Sequence, residues 1–311
     1  MPEAAAGALP VVRFGLVGTG YWARITHAPV LAATAGVELV AVWGRDPQAA
    51  SRLASEHGAA ACADLDELIA SVDALAFSVP PDVQASMALR AARSGKHLLL
   101  EKPIATSLDA ADALVRAVED SGVASVVFFT ARFQADVRAW LAEVTSRGGW
   151  MGGSGIWLGT SLTEGSPFNT PWRRLKGALW DLGPHAVSLL WAALGPVVAV
   201  AGEPGRGDVA HLVLHHEGGA SSTVTVTQGA SEAAAGSDFS IWGEFGRSEA
   251  PKHGAPATAA LAVAASELVA NARAGAVAHA CDVHFGREVV RVLATAERQM
   301  AANTRSRAII R

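Results

Sequence analysis

Val11-Val12-Arg13-Phe14-Gly15-Leu16-Val17 runs directly into Gly18-Thr19-Gly20-Tyr21-Trp22-Ala23. The first seven residues are largely apolar and β-rich, and the run ends in glycine. Helical character resumes over residues 21–33. A strand, a GxGxxA turn and a helix in that order form a cradle for a pyrophosphate. Gly18 permits the tight turn, Gly20 lets backbone approach the anion, and Ala23 lets helix and strand pack closely. The helix N-terminus adds N–H donors and the positive end of its dipole. The spacing alone also fits a tight structural turn. Its position at a first βα junction points instead to dinucleotide binding by Gly18, Thr19, Gly20, Tyr21, Trp22 and Ala23.

The alternation continues. Strand-like runs cover residues 37–43, 74–79, 96–100 and 123–129, and helical stretches cover 47–57, 65–71, 81–93 and 108–120. Asp82, Ser107 and Asp109 suit caps or first turns, and Gly58, Gly95 and Gly122 suit helix ends. Consecutive βα units predict an α/β fold, a doubly wound parallel Rossmann sheet, over residues 1–128. The texture then changes. Gly148, Gly149, Gly152, Gly153 and Gly155 read as a loose connection. Residues 209–214 and 222–227 pair as antiparallel strands around Glu217-Gly218-Gly219, and 239–245 adds another. Helices begin near Trp180 and cover 257–274 and 283–302. Residues 129–311 therefore form a second, α+β domain with a large, mostly antiparallel open sheet.

Half of the 311 residues are hydrophobic and 17% are charged, with a net charge of −4. With no block of like charges, this balance argues against nucleic acid and anionic membrane as partners. Cys62 and Cys281 are the only two cysteines. Their number and distance speak against a disulfide framework, and a reducing compartment fits. Residues 1–10 lack a basic segment followed by an apolar one, and are expected to be a frayed arm rather than a signal peptide. No run reaches the roughly 18 consecutive apolar residues of a membrane span. The default expectation is cytoplasmic.

Three further stretches carry chemistry. Glu101-Lys102-Pro103 follows the apolar run His97-Leu98-Leu99-Leu100. That places Lys102 at the C-terminal edge of the sheet, where ligands bind in open α/β folds. Pro103 keeps Lys102 out of helical geometry. The second strand ends in Gly44-Arg45-Asp46. Gly44 leaves room and Arg45 offers a fork for a ribose 2′-phosphate, which leans the cofactor toward NADP over NAD. Asp46 can instead serve a 2′-hydroxyl, and Arg45 can be a solvated or adenine-stacking side chain. Third, Asp181 and His185 are four residues apart in Trp180-Asp181-Leu182-Gly183-Pro184-His185. On one helical face a carboxylate and an imidazole make a general acid/base pair of the kind alcohol oxidation needs. An N-cap aspartate and a satisfied helix histidine fit the same spacing.

Together the Gly18 loop, Gly95-Lys96-His97-Leu98-Leu99-Leu100-Glu101-Lys102-Pro103 and Asp181-Leu182-Gly183-Pro184-His185 resemble the glucose–fructose oxidoreductase, inositol dehydrogenase and rhizopine-catabolism family, known as Gfo/Idh/MocA. The resemblance implies NAD(P)-dependent interconversion of an alcohol and a ketone on a sugar, inositol or related polyol. It also implies homo-oligomers built through the C-terminal sheet. Lys102 would polarise the reacting oxygen, His185 would act as general acid/base, and Asp181 would orient His185 or contact a substrate hydroxyl. Val79 and Pro80 resemble the loop that borders the nicotinamide ribose. Arg132-Phe133 resembles the passage into the second domain. Ser188 stands where many members carry an acid, and Gln84 where a histidine is common.

Pro171-Trp172-Arg173-Arg174 offers a stacking face and a cation, making Trp172 and Arg173 substrate-binding candidates. Trp22 and Trp180 are also expected along the cleft. His211, His215 and His216 lack the companions of a ligand set, so no metal is expected. His27 is expected to be structural. Two rival classes remain: a non-catalytic redox sensor, and an enzyme that keeps its cofactor bound for a transient internal oxidation. A sensor needs only the Gly18 loop, and Lys102, Asp181 and His185 together argue against it.

Overall fold

The computed structural model describes residues 11–252 and 256–309; the expectation for residues 1–10 lies outside them. Six parallel strands form the first sheet: β1 (Val12–Val17), β2 (Val37–Trp43), β3 (Ala60–Ala61), β4 (Ala74–Phe77), β5 (His97–Glu101) and β6 (Ser125–Phe128). Their order is β3-β2-β1-β4-β5-β6. The chain moves outward from β1 in both directions, so a crevice opens at the carboxyl ends of β1 and β4. The strands read as apolar runs because both faces are covered. Phe14, Leu16, Phe77, Leu98, Leu99 and Phe128 have no exposed surface.

Local chemistry sets the helix starts. In α2 (Pro47–Glu56) the Asp46 side chain accepts from Gln48 N and Ala49 N. In α3 (Leu65–Ser71) Asp64 accepts from Glu67 N, and in α5 (Leu108–Ser121) Ser107 accepts from Ala110 N. Each cap contributes about 1 kcal/mol. Helix α4 (Pro81–Arg93) joins β4 to β5. The helix after the Gly18 loop differs from the regular one expected. It widens into a π turn over Ala23–His27 before α1 (Ala28–Ala33). Pro29 lacks an N–H and its ring crowds the carbonyl four residues back, and a wider turn accommodates both.

The second sheet contains β7 (Trp150–Leu158), β8 (Val197–Pro204), β9 (Ala210–His216), β10 (Ser221–Thr227), β11 (Gly236–Gly243) and β12 (Gly246–Glu249). Its order is β12-β11-β7-β10-β9-β8, antiparallel except for the parallel β7–β10 pair. The glycine-rich stretch is thus not a loose connection but a central strand. Its glycines make room for large neighbours on β11. A Cβ on Gly152 would lie 2.8 Å from the Trp242 ring, and one on Gly155 would lie 2.5 Å from Phe239. Sequence pattern hid the strand because its packing volume comes from its partner. Strands β8 and β12 were also not foreseen.

Helix α7 (Pro171–Asp181) begins earlier than expected and kinks at Gly177, where φ is +66°. Helix α8 (Gly183–Leu194) then covers the inner face of the sheet. The outer face stays open and shows Val213, Ile156 and Trp242. Helix α6 (Ala135–Arg147) leads into β7. After β12 the chain returns to the first sheet, where α9 (Ala257–Ala274) packs against β5 and β6. Val127 N–H donates to Cys281 O at 2.6 Å on the way into α10 (Val283–Ile309). Among the described residues no helix is long and apolar enough to cross a membrane.

Gly155→Val should destabilise the protein by about 1–3 kcal/mol through overpacking against Phe239. Urea unfolding would read this as a lower midpoint at unchanged slope.

Candidate active site

The nucleotide loop is held between two strands. Gly18 N–H donates to Trp43 O at 2.8 Å, at the end of β2. Gly18 has φ +118°, and a Cβ there would lie 2.3 Å from Ser78 O and 3.0 Å from Val79 Cγ1. Only glycine fits that approach. Beside Gly20 a Cβ would meet open space, so its backbone faces the crevice bare. These residues fit a pyrophosphate, with Val79 and Pro80 on the β4 side of the loop. At the β2 end the room left by Gly44 is taken by Thr19, whose Cγ2 would lie 2.7 Å from a Cβ at that position. Asp46 spends Oδ1 on capping α2, and Arg45 is exposed.

The Glu101-Lys102-Pro103 turn is fastened by a side chain without exposed surface. Gln84, on α4, accepts from Glu101 N at 2.9 Å and donates to Glu101 O at 2.7 Å and Pro103 O at 3.3 Å. The Glu101 carboxylate faces the first helix. Its Oε1 accepts from Trp22 Nε1 at 2.7 Å and from His27 Nε2 at 2.9 Å. A carboxylate oxygen accepts, so the proton of the second contact sits on the imidazole. His27 is fully buried in the π turn. It therefore ties the nucleotide helix to the turn that carries Lys102, which nothing in its sequence context signalled.

Lys102 crosses to the second domain. Its Nζ donates to Asp181 O at 2.7 Å and Asp181 Oδ1 at 2.8 Å. Arg173 Nε donates to Asp181 Oδ2 at 2.8 Å. The side chains of Lys102 and Asp181 are 10% and 5% exposed, so the charges face each other with little water between them. Burial alone would raise the Asp181 carboxyl pKa; the two cations outweigh it and hold the group well below the usual carboxylate range. The Arg173 guanidinium lies 4.8 Å from the Trp172 ring centre and 5.4 Å from that of Phe168. Phe168 in turn meets Tyr21 and Trp22 edge-on, at 5.3 and 5.9 Å. The loop before α7 thus closes onto the nucleotide loop.

His185 sits one turn after Asp181, at the start of α8, and is 8% exposed. Leu182, itself helical in φ and ψ, joins the two helices, so both residues keep a common face. Trp157 on β7 lies against the imidazole, with ring centres 5.1 Å apart. Ser188 Oγ donates to His185 O at 2.9 Å, and Arg132 donates to Ser188 O at 3.1 Å.

Residues 12–129 match the description "oxidoreductase family, NAD-binding Rossmann fold", and residues 113–249 match the GFO/IDH/MocA C-terminal domain. The chain belongs to the Gfo/Idh/MocA family. Inositol 2-dehydrogenase of Rhizobium meliloti is 35% identical over 123 residues, 39% of this chain and 37% of that protein. Glucose-6-phosphate 3-dehydrogenase of Bacillus subtilis is 28% identical over 194 residues, 58% of this chain and 53% of that protein. The matches span about a third to a half of these relatives' own length. Levoglucosan dehydrogenase, solved with NADH and levoglucosan, superposes with a TM-score of 0.81 at 18% identity, covering 94% of this chain and 97% of that one. GenD2 from gentamicin A biosynthesis, solved with NAD, gives 0.81 at 20%, covering 97% of each chain. These likenesses show the shared fold.

Within this Gfo/Idh/MocA chain, the fold brings Lys102, Asp181 and Arg173 into direct contact, with His185 one turn away. Asp181 has both oxygens engaged, by Lys102 and Arg173, so its carboxylate sits in a cationic clamp one turn before His185. Arg173 is spent on Asp181 and on the carbonyl of Phe168. It braces the site where the sequence suggested a free substrate cation. Trp180 does not line the cleft. It has no exposed surface, and its Nε1 donates to Glu297 on α10 at 2.9 Å. Sequence reasoning missed Phe168 and Trp157, and it named Gln84 and His27 without their partners, which are remote in the chain. His211 and His215 pair with Thr225 and Ser221 across β9 and β10.

Asp181→Asn leaves two cations facing each other in a buried site, and should cost about 3–5 kcal/mol at neutral pH. The folded-state pKa is depressed, so the wild-type advantage is complete above the unfolded carboxyl value of about 4 and shrinks as pH falls below it. Urea titrations of both proteins across that range would measure the narrowing gap.

Proposed function

We propose that this protein is an NAD(P)-dependent dehydrogenase that interconverts a secondary alcohol and a ketone on a sugar, inositol or related polyol. The observation that carries this is the Lys102–Asp181 contact. It joins the strand-end lysine beside the nucleotide loop to the helical run that bears His185. Residues 1–128 hold the dinucleotide through Gly18, Thr19, Gly20, Tyr21, Trp22, Ala23, Val79, Pro80 and Glu101. Residues 129–311 supply the substrate site.

The bound dinucleotide supplies a nicotinamide ring as hydride acceptor. The chain's own residues handle the oxygen. His185 takes the hydroxyl proton, and Lys102 stabilises the negative charge that develops on that oxygen. Asp181, braced by Arg173, holds the Lys102 ammonium in place, so little reorganisation is needed as charge develops. Trp157 and Trp172 offer flat apolar faces to the C–H side of a ring substrate. The names of relatives that act on inositol and glucose 6-phosphate support the substrate class.

Arg45, exposed at the end of β2, favours NADP over NAD, whereas the room expected beside Gly44 is taken by Thr19. The commitment of Asp46 to its helix cap supports this, because the carboxylate is drawn away from a ribose hydroxyl. The open outer face of the second sheet is the proposed contact between copies of the chain, in the reducing setting of the cytoplasm.

A panel of polyols and sugars, followed by NAD(P)H absorbance, should reveal turnover. Lys102→Ala should then lower kcat by about 10²-fold or more, and His185→Ala by about 10²–10⁴-fold. Normal turnover by Lys102→Ala on the true substrate would exclude the mechanism. Arg45→Asp should shift preference from NADP toward NAD, and an unchanged ratio of KM values would remove Arg45 from cofactor selection.

A further inference from the structure

We propose that Arg24 and Arg52, which enter one cleft from two different helices, form the pocket for the ribose 2′-phosphate of the dinucleotide. This rests on the NADP reading above and names residues that the strand-end pattern does not reach. The cleft has a volume of about 250 Å³. Thr19, Tyr21 and Arg24 line it from the nucleotide loop and first helix, and Ala49, Arg52 and Glu56 line it from α2. Thr19 is the residue that fills the space above Gly44. The cleft therefore borders the pyrophosphate loop, and Thr19 links it to the β2 end; the adenosine ribose lies between these two features in this fold.

The source of positive charge in this cleft is its side chains. The first free N–H groups of α2, on Gln48 and Ala49, are already taken by the Asp46 carboxylate. That cap cancels the helix terminus as an anion site. Arg24, Arg45 and Arg52 form no ion pair among the described residues, although many other arginines of the chain do. Ala49 and Arg52 are three apart and share one face of α2. The small Ala49 side chain leaves space at the helix surface, and Arg52 stands one turn above it. Arg24 faces them from the π turn. With Glu56 also present, two guanidinium groups and one carboxylate leave the cleft positive. A phosphate monoester offers oxygens that match guanidinium forks from both sides.

The test uses the whole chain and two small probes, 2′,5′-ADP and 5′-AMP, titrated calorimetrically at one fixed salt concentration. Wild type should bind 2′,5′-ADP more tightly. Arg24→Ala and Arg52→Ala should each weaken that probe about 10-fold or more, and leave 5′-AMP unchanged. Arg52→Glu should weaken it further. Both positions are exposed, and unchanged thermal unfolding checks the fold. If both alanine variants keep the wild-type ratio while Arg45→Asp collapses it, the Arg24–Arg52 pocket is overturned and NADP preference stands on Arg45 alone. If wild type binds the two probes equally, the NADP reading falls and the pocket with it.

Discussion

A lysine and an aspartate with side chains 10% and 5% exposed face each other where the two domains meet. Desolvating either charge alone is expensive, so each needs the other in place. Lys102 lies at the end of β5 and Asp181 at the end of α7. Their contact fixes how the second domain sits over the nucleotide crevice. Arg173 completes the balance on the second carboxylate oxygen, and Trp172 and Phe168 pack its guanidinium. The aromatic contacts of Phe168 with Tyr21 and Trp22 carry the same closure to the nucleotide loop.

The other side of Lys102 is equally constrained. Gln84 satisfies the backbone on both sides of the turn, and Glu101 ties it to Trp22 and His27. A change in the first helix would therefore be felt at the lysine one residue from Glu101. The π turn belongs to this arrangement, since it includes His27. The nucleotide loop's helix, the strand end and the helical run at Asp181 are thus linked by hydrogen bonds rather than standing as three independent motifs.

Much of the first domain was legible because its determinants are local. Period and composition marked the strands, Ser107 marked a helix start, and Gly18 marked the tight turn, whereas the caps at Asp46 and Asp64 emerged only from the structure. The second domain was harder to read. Gly152, Gly153 and Gly155 look like linker residues until Trp242, Ile241 and Phe239 are seen filling the space above them. Asp181 and His185 were legible as a four-residue spacing, and the identity of the partners of Asp181 was not. Lys102 and Asp181 are 79 residues apart, and no local pattern couples them.

By itself, the sequence determined most strands and helices of the first domain in their order, the capped start at Ser107, the glycine turn and which residue types stand at the crevice. Those follow from backbone sterics and from hydrogen bonds within a few residues. Only the tertiary structure decided what each of those residues does. It turned Arg173 from a free cation into a brace, moved Trp180 from the cleft to the core, and set His27 and Gln84 behind the turn that carries Lys102. The physical reason is that a buried charge or polar group must find a partner in space, and the chain supplies that partner from wherever folding brings it.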